Sequence, residues 1–178
     1  VYEGDREIAI KKLASGNIIE LEEDLDLTKT YRVEISGFGS KNAIPIGIFD
    51  SETFIANYTY DGDDLGAIVD GDNTNFKLWA PTASHVVLNL FTAGNGVEAY
   101  KQVEMVRGEK GVWSHTEACG HGTYYTYSVT TSVGTQEAVD PYAKAAGVNG
   151  NRGMVVDLSL TDPEGWNSED FKTGIENY

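Results

Sequence analysis

Apolar and polar residues alternate along most of the chain. In "REIAIKK" (residues 6–12) Ile8 and Ile10 share one face, while Glu7, Ala9 and Lys11 share the other. "IIELEE", "YRVEISG" and "AIPIGIF" repeat the period of two, and "TFIANYTY" places Phe54, Ala56, Tyr58 and Tyr60 on one side. This alternation is the mark of strands with one buried face. "SGN", "DLTKT" and "GFGSKN" lie between the runs and read as turns. Residues 1–60 are therefore expected to form a small antiparallel β domain.

Residues 61–75, "DGDDLGAIVDGDNTN", are rich in Asp, Gly and Asn and read as an acidic linker. They fail the calcium-loop test: counted from Asp70, the sixth position is Asn75 rather than Gly and the twelfth is Pro81 rather than Glu. Strand patterns then resume in "FKLWAP", "VVLNLF", "AYKQVEMV", "GVWSHTE", "GTYYTYSVTTSV" and "RGMVVDL". Short strands at this spacing predict a β-sandwich over residues 76–160. Val86, Leu88 and Leu90 should face its core, as should Tyr125, Tyr127 and Val129, with Tyr124 pointing the other way. No amphipathic helix stands out, although "YAKAAG" allows one turn. Residues 161–178 read as an acidic, unperiodic tail. The fold class expected is all-β, a small antiparallel domain followed by an immunoglobulin-like sandwich.

Composition narrows the function. The 178 residues carry a net charge of −15. Such a surface repels phosphate backbones and anionic membranes, so neither nucleic acid nor membrane is expected as a partner, whereas neutral sugars meet no penalty. No apolar run approaches the ~18 residues of a membrane-spanning helix, and no signal-peptide pattern opens the chain. The start at Val1, without methionine, suggests a processed product or a fragment. One cysteine, Cys119, permits no intrachain disulfide. It reads as a small filler residue, His121 being the one nearby base by sequence. His85, His115 and His121 lack metal-ligand spacing, and no cofactor or metal is expected. "NYT" at residues 57–59 matches a glycosylation acceptor but carries little weight within a strand. Gly147, Gly150 and Gly153 are spaced like a phosphate loop, yet "MVVDL" follows them as a strand where a phosphate loop would open a helix.

Three segments read together resemble a known family. "FKLWAPTASHVVLNLF", "GVWSHTEACGHGTYYTYSV" and "VDPYAKAAGVNGNRGMVVDL" follow one another in this order. They are similar to the N-terminal region of type I pullulanases, the α-1,6-glucan debranching members of glycoside hydrolase family 13. The "FKLWAP" run and the "YTY" strand look like carbohydrate-binding module family 48, the isoamylase N-terminal domain. "YTYDGDDLGA" before them and "LTDPEGWNSEDF" after them fit the same family. The resemblance spans about residues 58–170 and is loose over residues 1–57.

What the resemblance implies is a non-catalytic part of an enzyme that hydrolyses α-1,6 branches of pullulan, starch or glycogen. The catalytic (β/α)8 barrel, in the same or another chain, would be the partner, and the nucleophile and acid would lie in that barrel. Members of this module family that bind glycogen alone carry two exposed tryptophans. Here the matching places, "TAGNGVEAYKQ" and "SVGTQEAVDP", contain none. Tyr100 and Trp113 are the candidate carbohydrate-binding residues. Trp79 reads as core. Asp140, Pro141, Tyr142, Lys144, Arg152 and Trp166 are expected at the barrel interface. An autonomous starch- or glycogen-binding module is the alternative, and an immunoglobulin-like surface domain a third.

Overall fold

The computed structural model describes residues 1–166. Its first part is a four-stranded antiparallel sheet and a separate hairpin. β1 (Tyr2–Glu3), β2 (Arg6–Glu7), β5 (Tyr31–Ile35) and β6 (Gly39–Asn42) form the sheet in the order β2-β1-β5-β6. β3 (Ile10–Ala14) and β4 (Ile18–Leu21) form the hairpin. Ser15, Gly16 and Asn17 form its three-residue turn, with Ser15 and Gly16 at positive φ. The core here is thin: Ile8 and Tyr31 are buried, while Leu13, Phe38 and Ile46 are largely exposed.

Three readings of this part give way. "AIPIGIF" is irregular backbone, not a strand, and "GFGSKN" supplies β6 as well as a turn. "TFIANYTY" contributes to a helix, α1 (Glu52–Tyr58). Phe54 and Tyr58 fit either period, because they are four residues apart and also both even-numbered. The Ser51 hydroxyl decides for the helix by accepting the Phe54 N–H as an N-cap, and Glu52 adds an acidic first turn. Phe54 is the buried residue of α1, its ring 5.0 Å from Tyr58 and 5.2 Å from Phe49.

The second part is a β-sandwich. β7 (Gly66–Asp70), β8 (Asn73–Trp79), β11 (Val106–Arg107) and β12 (Val112–Glu117) make one sheet in the order β11-β12-β8-β7. β9 (His85–Phe91), β10 (Lys101–Glu104), β13 (Tyr124–Thr131), β14 (Gly134–Ala138), β15 (Ala145–Ala146) and β16 (Gly153–Met154) make the other. The run 61–75, read as a linker, holds β7, a two-residue turn at Gly71–Asp72 and the start of β8. The "YAKAAG" run turns into β15 rather than a helix.

The core follows the alternation. Val86, Leu88 and Leu90 of one sheet, with Tyr125 and Tyr127, face Phe76, Leu78 and Trp113 of the other. Phe76 and Tyr125 meet edge to face at 5.1 Å, and Tyr125 and Tyr127 at 5.7 Å. The two parts of the chain touch: the Trp79 Nε1–H donates to the carbonyl of Tyr58 at 2.9 Å, and the Trp79 ring meets Phe54 at 6.3 Å. Of the expected tail, residues 161–166 form turns and the remainder lies outside the described residues.

The feature that shapes the surface is β13. β9 pairs along one of its sides from Tyr124 to Thr130. On its other side the partners change: β16 pairs with Tyr124 and Tyr125, β14 with Tyr127 to Thr131. At Thr126 the chain leaving β14 therefore passes through a notch in the sheet.

Candidate functional site

Asp140 fills that notch. It is 3% exposed. Its Oδ2 accepts from the Tyr125 hydroxyl at 2.8 Å, and its Oδ1 accepts from the Tyr142 N–H at 2.8 Å. The Tyr127 hydroxyl faces the same carboxyl but makes no aligned hydrogen bond. Burial pushes the Asp140 carboxyl above the usual carboxylate range against the pull of these donors, and no cation among the described residues answers its charge. Asp140, expected from the resemblance at the barrel interface, thus has its side chain inside the sandwich, where it anchors the Asp-Pro-Tyr turn. Burial likewise raises both tyrosine hydroxyls.

Arg152 lies half-buried along the outer face of the sheet. Its guanidinium stacks over the Phe91 ring, 3.5 Å from the centroid, and donates to the carbonyls of Ala93 and Val97, each at 2.7 Å. These bonds pin the loop 92–97 to the outer face of the sheet, where Gly94 and Gly147 touch backbone to backbone. Trp113 is 5% exposed, with its Nε1–H donating to the Ala80 carbonyl. It presents no ring face to solvent, which removes it as a sugar platform. Tyr100 is 54% exposed at the edge beside β10, near Glu117 and Cys119. Pro141, Lys144 and Trp166 are exposed, and Tyr142 is 47% exposed.

Among the concavities of the surface are two that bear on binding and that sequence reasoning missed. The first lies over the notch, a polar groove of about 410 Å³ between Thr126 and Glu137 on one side and Asn151 and Arg152 on the other. A hydrogen-bonded ladder runs out from it across the sheet. Thr126 Oγ1 donates to Glu137 Oε1 at 2.5 Å, Asn89 Nδ2 donates to Thr126 Oγ1 and to Ser128 Oγ, and Gln102 Nε2 donates to Asn89 Oδ1. No aromatic ring lines this groove.

The second lies where α1 meets the sandwich. It is a recess of about 330 Å³ walled by Phe49, Phe54, Tyr60, Trp79 and Tyr142. The bonds from Trp79 Nε1 to the carbonyls of Tyr58 and Lys110 hold its indole in place. Tyr142 is pressed against Gly66, whose positive φ and missing side chain let the two backbones approach. At the border Tyr60 donates its hydroxyl to Asp64, which also pairs with Lys77. Lys77 holds the Asp64 carboxyl low.

No nucleophile is assembled around Cys119. Burial raises its thiol, and the His121 Nδ1 accepts the Asp157 N–H at 3.2 Å. Among the described residues no group of three or more His, Cys, Asp or Glu comes together as a metal site, and no helix is long and apolar enough to cross a membrane.

The structure defines a two-sheet β-sandwich module with an aromatic recess on one sheet and a polar groove on the other, and no reactive group is assembled among the described residues. Residues 64–143 match the family described as carbohydrate-binding module 48 (isoamylase N-terminal domain). The chain is 35% identical over 120 residues to a pullulanase of Bacillus subtilis (strain 168), covering 66% of this chain and 16% of that protein. It is 33% identical over 121 residues to the chloroplastic pullulanase 1 of Arabidopsis thaliana, covering 62% and 12%. In fold it superposes on the pullulanase from Bacillus acidopullulyticus with a TM-score of 0.74 and 39% identity, over 84% of this chain and 18% of that one. For the pullulanase from Anoxybacillus sp. LM18-11 the values are 0.71 and 33%, over 88% and 23%. The chain is thus similar to pullulanases in sequence and in fold, and its residues 64–143 match the carbohydrate-binding module 48 family. It spans about a sixth of the Bacillus subtilis relative and less than a quarter of the solved relatives.

Proposed function

We propose that this chain is the non-catalytic N-terminal part of a pullulanase-type enzyme hydrolysing α-1,6 branches of pullulan, starch or glycogen. Its role is to pack on a catalytic (β/α)8 barrel and assist glucan binding there. The observation that carries the reading is the joint match in sequence and fold to pullulanases across most of this chain but a small share of theirs. Exposed apolar side chains support it: Leu158, Leu160 and Trp166 stand out from the segment that leaves the sandwich, with Pro141 and Lys144 also at the surface. A standard protein interface buries about 1,600 Å² in total, and such side chains are its usual material.

The test is to mix the chain with a separately made pullulanase barrel. Co-elution on gel filtration, weakened when Leu160 and Trp166 are both changed to Ala, is expected. A barrel that never associates, and that is as stable and active on pullulan without this chain as with it, would refute the reading.

A further inference from the structure

We propose that the aromatic recess between α1 and the sandwich is a binding site for a neutral α-glucan oligosaccharide, running on into the polar trough outside β7, β8 and β12. The choice of an α-glucan rests on the proposed function above. The site itself rests on shape and chemistry. The recess is walled by five aromatic side chains and contains no charged group. In a chain of net charge −15 it repels an anion and has no carboxylate of its own to hold a cation. A ligand that suits it is neutral, with apolar ring faces.

Such a ligand also needs hydroxyl partners, and the border supplies them. Asp64 and Lys77, paired and held beside the Tyr60 hydroxyl, offer an acceptor and a donor whose charges cancel. Beyond them the same Asp64 and Lys77 open a second trough of about 460 Å³, lined also by Asn75, Ser114 and Thr116. A recess of ring faces followed by a strip of short polar side chains fits a chain of sugar rings, each with an apolar face and hydroxylated edges. An apolar helix or loop of another protein would leave the Asp64–Lys77 pair buried and poorly solvated. The site lies on the opposite sheet from the notch groove, whose lining has polar contacts but no ring. Both parts of the chain build it, α1 and its flanks supplying Phe49, Phe54 and Tyr60, the sandwich Trp79 and Tyr142.

The test uses the 178-residue chain titrated with maltohexaose, followed by calorimetry and by the indole N–H resonance of Trp79. The expected result is weak saturable binding, roughly millimolar, with the Trp79 resonance moving and affinity falling about tenfold in Tyr142→Ala and in Asp64→Asn. Val133→Ala, at the exposed turn between β13 and β14, should bind as the parent does, and circular dichroism should show every variant folded. No binding by about 10 mM, or binding that Tyr142→Ala and Asp64→Asn leave within about twofold, overturns the proposal. A Tyr142→Ala variant that loses the barrel in gel filtration while keeping its sugar affinity also overturns it, and assigns the recess to the barrel. Maltohexaose binding as expected by a chain that never associates with the barrel supports the site while refuting the scaffold role.

Discussion

The anchor at Asp140 gives the sharpest test of how the notch is held. Asp140→Ala removes the acceptor of two hydrogen bonds. One of them leaves the Tyr125 hydroxyl, on a residue with no exposed surface, without a partner. An unpaired buried donor costs about 1–3 kcal/mol, and the lost bond to the Tyr142 N–H adds about 0.5–1.5 kcal/mol. Part of this is offset because a buried carboxylate with no cationic partner is itself unfavourable at neutral pH. A net loss of about 1–4 kcal/mol is expected, a sizeable share of the ~5–15 kcal/mol typical of a domain. In a chain of this size each kcal/mol shifts Tm by about 2–4 °C, so a fall of roughly 2–15 °C is the readout.

The pH dependence separates the charge from the hydrogen bonds. Burial raises the pKa of the folded Asp140 carboxyl above that of the unfolded chain. Between those two values the native state holds more protons than the unfolded state, so stability falls as pH rises through the folded pKa. The contribution of Asp140 is fully present below the unfolded pKa and is lost towards neutrality. Asp140→Asn keeps the shape, an acceptor and a donor, but cannot ionise. The parent should therefore gain stability relative to the Asn variant as pH falls from about 7 to about 4.5 in urea melts. A parent–variant difference that is flat over that range, or an Ala variant melting within about 1 °C of the parent, would refute the reasoning.

Three further outcomes are expected. Arg152→Ala loses two bonds to loop carbonyls and a stacked ring; it should cost about 1–3 kcal/mol, with faster hydrogen exchange confined to residues 92–97. Gly66→Ala places a Cβ 3.0 Å from the Tyr142 carbonyl oxygen at a φ of +98°, so thermal melts should show a loss of about 1–3 kcal/mol. Lys101, its Nζ 2.8 Å from Glu117, lowers that carboxyl by hydrogen bonding and ties the edge of one sheet to the other. That stability is present above the unfolded pKa and lost as pH falls through the folded one. Glu117→Gln should flatten this part of the acid limb by under about 1 kcal/mol.

The sandwich was legible because its strands bury one face each. Val86, Leu88 and Leu90 announce their sheet, and Tyr125 and Tyr127 announce the strand beside it. Elements that bury little left no such signal. β14 reads "GTQEA" and is exposed throughout, so nothing in it alternates by polarity. β7 was masked by the Asp and Gly residues of its own turns. α1 hid because one pair of aromatics satisfies two periods at once, and the deciding Ser51 cap is a single hydroxyl. The site was harder still. The partners of Arg152 lie 59 and 55 residues away in sequence. A lone carboxylate such as Asp140 gives no hint of burial, because its acceptor role depends on a break in strand pairing seen only once the sheet is assembled.

That break connects the core to the surface. Because β13 changes partner at Thr126, the chain between β14 and β15 must cross the sheet, and a crossing backbone needs its N–H groups answered. Asp140 answers the Tyr142 N–H and takes its own second partner from Tyr125 in the core. Tyr142 is then fixed against Gly66 of the opposite sheet, with its side chain forming a wall of the recess. Trp79 forms another wall and is fixed by carbonyls from α1 and from the turn before β12. The recess is therefore assembled from residues that the core already holds in place, so a ligand would meet preformed ring faces and spend little on ordering them. The missing tryptophans of the loops need not mean a missing binding surface, because the rigid aromatics lie on the other sheet.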